Sequence, residues 1–147
     1  MPHRSPTIVL IHVVWATHGR RRVLPVEFDE TLLGILGHKA REAGCLLIAT
    51  GCASDHVHVL LRLAPTSALA DVVQRMKGST ARDVNDQALL GTHLRWQAGY
   101  WAESVGPADK DPLGKYIRAQ RTHHDVAHPV ERWQFGGESE PADGGLP

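Results

Sequence analysis

Short apolar runs rich in β-branched residues alternate along the chain with segments in which apolar residues recur every three or four positions. The first pattern predicts strands and the second predicts amphipathic helices. The predicted strands span residues 7–17, 45–53, 55–63 and 96–105, the last of them broken by a turn near Gly99. The predicted helices span residues 28–43, 68–84 and 111–124. The order β-α-β-β-α-β with one further helix predicts an α+β fold, a ferredoxin-like split βαβ sandwich whose antiparallel sheet carries an appended C-terminal helix.

Capping residues support several of these boundaries. Gly44 stands where the first helix should end, because glycine readily adopts the left-handed backbone that closes many helices. Ser67 and Asp111 stand where N-caps of the second and third helices are expected, with Pro112 at the first helical position.

The composition is that of an ordinary globular domain, with 147 residues, 42% hydrophobic and 22% charged. We expect one domain over residues 1–128 and an acidic tail rich in glycine and proline over residues 129–147. No apolar run is long enough to span a membrane, and the N-terminal apolar stretch, interrupted by His12 and Trp15, lacks a signal-peptide cleavage site. Cys45 and Cys52 are too few for a disulfide framework. These features predict a cytoplasmic protein.

The net charge of zero conceals an uneven distribution of charged side chains. Residues 1–128 carry fifteen basic and twelve acidic side chains, whereas residues 129–147 carry one basic and four acidic ones. Phosphate binding requires basic groups gathered in one place rather than a high net charge. The charge is therefore compatible with a nucleic-acid partner without indicating one.

Two histidines separated by one residue form a candidate metal site. His56 and His58 lie in a predicted strand, where alternate side chains face the same side, and two imidazoles on one face can bind a divalent ion. Since the chain has ten histidines, such a pair also arises by chance, and both side chains can instead belong to the core. Asp55, directly before the pair, can orient one imidazole or cap the turn.

Tyr116 and Gln120 lie four residues apart on the final predicted helix and therefore share a face. A tyrosine hydroxyl can act as a covalent nucleophile, but with an ordinary pKa of about 10 it needs an activated target. A phosphodiester polarised by a metal ion is such a target. The alternative interpretation is an amphipathic helix that packs Tyr116 onto the core.

Basic side chains are grouped at three places where they could contact a nucleic-acid backbone. The candidates are Arg20, Arg21 and Arg22 in one turn, Arg75 and Lys77 on the second helix, and Arg118 beside the tyrosine. Trp96, Tyr100 and Trp101 could stack on exposed bases, although at least one of them is expected in the core. Groups of charges are more often solvated surfaces, so these residues do not decide the function by themselves.

Four stretches together resemble the single-tyrosine transposases of the HUH superfamily, in particular the insertion sequence two-hundred/six-hundred-five family. They are IHVVWATHGRRRVL, SDHVHVLLRLAPTSALADVVQRMKGSTAR, LRWQAGYWAESVG and LGKYIRAQRTHH. They occur in the family's order at similar spacing, and they cover most of the chain from Ile8 to His124.

This resemblance implies a role for each candidate residue. His56 and His58 would be paired ligands of Mg²⁺ or Mn²⁺, Gln120 the third ligand, and Tyr116 the nucleophile. The substrate would be single-stranded DNA with hairpin ends, cut and rejoined through a 5′-phosphotyrosine in the bacterial cytoplasm, in association with the nucleoid. The enzyme would be a homodimer in which the histidines of one chain serve the tyrosine of the other.

Other functions stay open beside this one. A domesticated relative could process repeated genomic hairpins in place, and a regulator could bind single strands without cutting them. A replication initiator or a relaxase is disfavoured by the small size of the chain and the lack of a helicase domain.

Overall fold

The computed structural model of the chain describes residues 6–122. Its sheet has four strands, β1 (Leu10–Ala16), β2 (Leu46–Cys52), β3 (His56–Arg62) and β4 (Trp101–Val105). All neighbours pair antiparallel in the order β2-β3-β1-β4, which is the order of the split βαβ sandwich. The predicted α+β fold is therefore confirmed.

Three helices cover the two faces of this sheet. α1 (Asp29–Glu42) and α2 (Leu69–Asp86) pack against each other and cover one face. The shorter α3 (Lys110–Arg118) lies on the other face, against β2 and β3. α3 is the helix predicted after the last strand. One face of the sheet is thus covered by the two helices that lie between strands in the sequence, and the other face by the helix that follows them.

Alternation along the central strands β1 and β3 separates an apolar face from a partly polar one. The odd-numbered side chains enter the larger core, under α1 and α2, and are fully buried: Val13, Trp15, Val57, Val59 and Leu61. The even-numbered side chains face α3. They include Leu10 and Leu60, which join Ile117 in a smaller apolar cluster, together with three buried histidines.

Two predicted helix caps are wrong. Ser67 does not cap α2, because its hydroxyl donates instead to the carbonyl of Ala43 just beyond α1, at 3.3 Å. A 3-10 turn over Pro107–Asp109 leads directly into α3, so Asp111 falls inside the first turn of the helix rather than before it. Gly44, with φ +78°, has the left-handed backbone expected after α1.

Three predicted elements are shorter in the structure. β1 begins at Leu10, and Trp96 makes only an isolated bridge to Thr17, so β4 begins at Trp101. α3 ends at Arg118 and is followed by a separate 3-10 turn over Gln120–Thr122. The rest of that predicted helix and the predicted tail over residues 129–147 lie outside the described residues.

Within residues 6–122, no helix is long and apolar enough to cross a membrane. Cys45 and Cys52 are both buried free thiols.

Candidate active site

His56 and His58 occupy buried positions of β3 on the face that α3 covers. Their ring centroids are 5.1 Å apart, at an interplanar angle of 64°. The shared face predicted from strand alternation is therefore present, and both imidazoles point into one small region between the sheet and α3.

Asp55 holds the first imidazole from the side of its Nδ1 atom. Asp55 Oδ1 lies 2.8 Å from His56 Nδ1, and Arg20 Nε donates to Asp55 Oδ2 at 3.2 Å. Burial acts to raise the pKa of Asp55, but the hydrogen bond from His56 and the charge of Arg20 outweigh burial and lower that pKa below its usual 3.8. A carboxylate can only accept, so His56 Nδ1 carries the proton of this hydrogen bond, which leaves Nε2 as the nitrogen that can bind a metal.

A third histidine, His12 of β1, contacts the second imidazole. His12 is fully buried, and its Nε2 lies 2.9 Å from His58 Nδ1, with the two rings stacked at a centroid distance of 5.1 Å. A histidine that binds a metal through Nε2 donates its Nδ1 proton to a neighbouring acceptor, and His12 Nε2 is in place to accept it. His12 is therefore placed to orient the His58 ring through Nδ1, as Asp55 is placed to orient the His56 ring. Sequence reasoning missed His12, although an imidazole inside an apolar strand was a usable signal.

Tyr116 and Gln120 both reach the histidines from α3 and the turn that follows it. The Tyr116 ring meets the His58 ring edge-on, with centroids 5.9 Å apart. Gln120 is buried, with Oε1 3.2 Å from His56 Nε2, and its amide nitrogen donates to the Tyr116 carbonyl at 3.4 Å. All four predicted groups lie together within the single chain.

The close approach of α3 to the sheet depends on Gly51 of β2. A Cβ atom at this position would overlap the carbonyl oxygen of Ile117 in α3. Any side chain at residue 51 would therefore displace the helix that carries Tyr116. This requirement was not visible in the sequence, because it arises only when α3 is docked on β2.

The donor atoms fit a divalent cation. Nε2 of His56 and Oε1 of Gln120 are both lone-pair atoms, and their 3.2 Å separation is near the roughly 3 Å between neighbouring ligands of an octahedral ion with bonds of about 2.1 Å. Within residues 6–122, no three His, Cys, Asp or Glu side chains form a metal-binding group. A three-ligand site here therefore requires the Gln120 carboxamide beside the two imidazoles. The carboxamide oxygen suits Mg²⁺ and Mn²⁺ alike, whereas imidazole nitrogens are ligands typical of transition metals rather than of Mg²⁺.

A cavity of about 370 Å³ opens beside Tyr116, between β4 and the start of α3. His12 and Tyr116 line it, together with the carboxylate-bearing side chains Glu103 and Asp109. Two acidic side chains disfavour an anionic group such as a phosphate inside this cavity.

The predicted DNA-contacting residues are separated by the structure. Four of them are exposed: Arg21, Arg22, Arg75 and Arg118. Arg20 instead binds Asp55 and so belongs to the hydrogen-bond network of His56. Arg75 lies on α2, on the opposite side of the sheet from Tyr116.

Lys77 holds the loop between α2 and β4. Its Nζ donates to the carbonyls of Gln97 at 2.9 Å and Gly99 at 2.7 Å, and burial lowers its pKa to about 8. Trp96 donates from Nε1 to the Lys77 carbonyl at 3.0 Å and packs edge-on against Trp15. Lys77, Trp96 and Gln97 border a cavity of about 580 Å³ on the α2 side of the sheet, which none of His12, His56 and His58 lines.

Known proteins resemble this chain over nearly all of the described domain. A family model described as transposase, IS200-like, matches residues 7–120. The ISDra2 transposase TnpA of Deinococcus radiodurans is 31% identical over 115 residues, which cover 74% of this chain and 81% of that protein. A transposase crystal structure from Deinococcus radiodurans has a TM-score of 0.62 and 27% identity, over 82% of this chain and 98% of that one. A REP-associated tyrosine transposase bound to a REP hairpin has a TM-score of 0.61 at 14% identity, over 95% of this chain and 89% of that one, a likeness of fold alone.

The fold and the matches in sequence together define the class of the protein as a transposase. The chain belongs to the IS200-like transposase family, as the four resembling stretches indicated.

Proposed function

We propose that the chain cuts and rejoins single-stranded DNA at the site formed by His56, His58, Tyr116 and Gln120. The observation that carries this proposal is the meeting of groups from distant parts of the sequence on one buried face. The Tyr116 ring lies 5.9 Å from the His58 ring, and Gln120 Oε1 lies 3.2 Å from His56 Nε2. Membership of a transposase family supports DNA cutting and joining as the reaction.

The proposed reaction is a transesterification in two steps. The Tyr116 hydroxyl gives up its proton and its oxygen forms a bond to the scissile phosphorus, while the bond from phosphorus to the 3′ oxygen breaks and that oxygen takes up a proton, so no net proton is released. The products are a 3′-hydroxyl and a 5′-phosphotyrosine. The 3′-hydroxyl of a second strand then attacks the phosphotyrosine and releases the tyrosine. Each step replaces one phosphoester by another, so joining needs no high-energy cofactor.

His56 and His58 through Nε2, and Gln120 through Oε1, would hold Mg²⁺ or Mn²⁺. When bound, such an ion polarises the phosphate and stabilises the charge that develops on it. Asp55 and His12 orient the two imidazoles from their Nδ1 sides. The bond from the Gln120 amide to the Tyr116 carbonyl links the third ligand to the helix of the nucleophile.

The proposed substrate is a single strand with hairpin ends. The REP-associated transposase that shares this fold is bound to a REP hairpin. In the present chain, the exposed Arg21, Arg22 and Arg118 are available to contact phosphates. The same neighbour supports a second candidate function, in which the chain processes repeated genomic hairpins in place.

Cleavage of labelled oligonucleotides tests this function. Single strands with hairpins, taken from the DNA that flanks the gene, should be cut with Mg²⁺ or Mn²⁺ and left intact in excess chelator. The same sequences as full duplexes should not be cut, and binding should weaken as salt rises. Undiminished cleavage in chelator, or equal cleavage of duplex, contradicts the proposal.

A homodimer, implied by the resemblance, is part of the same proposal. Since Tyr116 lies beside its own His58, we propose that each protomer completes its own site. Mixed dimers of His56→Ala and Tyr116→Phe chains should then stay inactive, because neither chain has both groups. Recovery of cleavage in mixed dimers, detected with two affinity tags, would indicate the arrangement in trans.

A further inference from the structure

Arg121, directly after Gln120, binds a part of the molecule that carries none of the catalytic groups. Its Nη2 donates to Asp29 Oδ1 at 2.6 Å, and its Nε donates to Asp29 Oδ2 at 3.3 Å. Nη2 also donates to the Leu24 carbonyl at 3.0 Å and lies 3.7 Å from Cys52 Sγ. One side chain thus connects the turn of Gln120 to the start of α1, to the segment before α1 and to the end of β2.

The geometry of this ion pair fixes orientation as well as distance. A planar guanidinium that donates two hydrogen bonds to one carboxylate has little freedom to rotate. The Cys52 thiol also holds Asp29, because it donates to the same Oδ1 atom at 3.0 Å. Burial and the bond to Asp29 raise the pKa of Cys52 to about 12, so the thiol keeps its proton as a donor. Both ends of the Arg121 contact are therefore fixed.

Gln120 needs such an anchor because α3 ends before it. The helix stops at Arg118, and Gln120 lies in a 3-10 turn, whose hydrogen bonds have poorer geometry than those of an α-helix. Successive side chains in a 3-10 turn are rotated by about 120°. Fixing Arg121 towards α1 therefore fixes the direction of Gln120 towards His56.

We propose that Arg121 is a positioning residue that holds Gln120 as a ligand of the metal site through its ion pair with Asp29. The proposal rests on the metal site of the proposed function. It assigns the Arg121 guanidinium to an ion pair within the chain rather than to DNA phosphates, although Arg121 is close to Tyr116 in the sequence.

Mn²⁺ binding to the full chain without DNA, measured by electron paramagnetic resonance of the free ion, tests this role. Arg121→Ala and Asp29→Asn should each raise the Kd for Mn²⁺ about tenfold, the lower end of what the loss of a ligand-orienting partner costs. Arg121→Lys keeps the charge but loses the double hydrogen bond, so its Kd should rise by a smaller factor.

Asp83→Asn is the matched control. It breaks the Lys39–Asp83 ion pair, which has a similar length of 3.0 Å and similar exposure but joins α1 to α2 and involves no residue of α3 or the turn after it. Its Kd for Mn²⁺ should equal that of the unmodified chain. Thermal unfolding establishes whether each variant is folded. If Arg121→Ala does not fold, the two single variants Asp29→Asn and Arg121→Lys still test the proposal.

The decisive comparison repeats Arg121→Ala in a Gln120→Ala background. If Arg121 acts through Gln120, its loss should not change the Kd further, whereas a general structural role should raise the Kd in both backgrounds. An equal rise in both backgrounds, or no rise in either, overturns the positioning role. If the proposed metal site itself is wrong, the result is different: the unmodified chain and the His56→Ala variant would then bind Mn²⁺ equally, or neither would bind it.

Discussion

The two faces of the central strands β1 and β3 differ in the kind of side chain they carry, although alternate residues of the same strands form both. The odd-numbered side chains, such as Val57 and Leu61, are apolar and fully buried under α1 and α2. The even-numbered ones include His12, His56 and His58, which are as deeply buried but contact polar partners: His12 lies against His58, and His56 lies against Asp55. A strand buried on both sides can thus serve stability with one set of residues and chemistry with the other, provided that each buried imidazole has partners.

The helices over the two faces differ in how they are held. α1 and α2 have 14 and 18 residues and bury a continuous core. α3 has nine residues, a small apolar cluster, a close contact at Gly51 and the Arg121 anchor beyond its end. The chemical face therefore depends on a few specific contacts, and its geometry should be more sensitive to single substitutions than the core face.

The sharpest test of this division compares two residues of β3. His58→Ala should lower cleavage about a thousandfold, because polarisation of the phosphate by a metal is worth several kcal/mol, while the protein stays folded. Leu61→Ala should instead lower the free energy of unfolding by about 2–5 kcal/mol and leave cleavage by the folded fraction nearly unchanged. Cleavage kinetics and denaturant unfolding of both variants are the measurements. Similar losses of both properties in the two variants would mean that the faces are not functionally distinct.

A second comparison concerns two glycines. Gly51→Ala should push α3 away from β2 and lower cleavage about a hundredfold, since a displacement of about 1 Å at a catalytic site can cost that much. Gly78→Ala, in α2 where an added Cβ meets open space, should preserve cleavage and stabilise the helix by about 0.5–1 kcal/mol. Normal cleavage by Gly51→Ala would mean that cleavage does not depend on the close approach of α3 to β2.

The third comparison concerns the two groups that orient the imidazoles. His12→Leu removes the acceptor beside His58 Nδ1 and should raise the Kd for Mn²⁺ about 10-fold to 100-fold. His12→Gln retains an acceptor and should recover part of the affinity. Asp55→Asn, which keeps a carbonyl oxygen for His56 Nδ1, provides the parallel test at the first imidazole. An unchanged Kd in His12→Leu would make His12 a packing residue only.

Local patterns predicted the elements and the main candidates, whereas long-range contacts decided the rest. The spacing of His56 and His58 predicted their common face because the strand period is two. Gly51 and the Arg121–Asp29 pair became visible only in the structure, since they join segments separated by 66 and 92 residues along the chain. The end of α3 at Arg118 was also not predicted, because the helical spacing of apolar residues does not mark where a helix stops.

The central claim is that the chemical face carries a covalent nucleophile, Tyr116. The most direct measurement is peptide mapping by mass spectrometry after incubation with a labelled single strand and Mn²⁺. Since Tyr100 is the other tyrosine of the chain, the two sites are separable, and Tyr100→Phe provides the matched control. The account predicts a 5′-phosphotyrosine on Tyr116 that persists in Tyr100→Phe and is lost in Tyr116→Phe and in chelator. An adduct on Tyr100, or one that survives Tyr116→Phe, would contradict it.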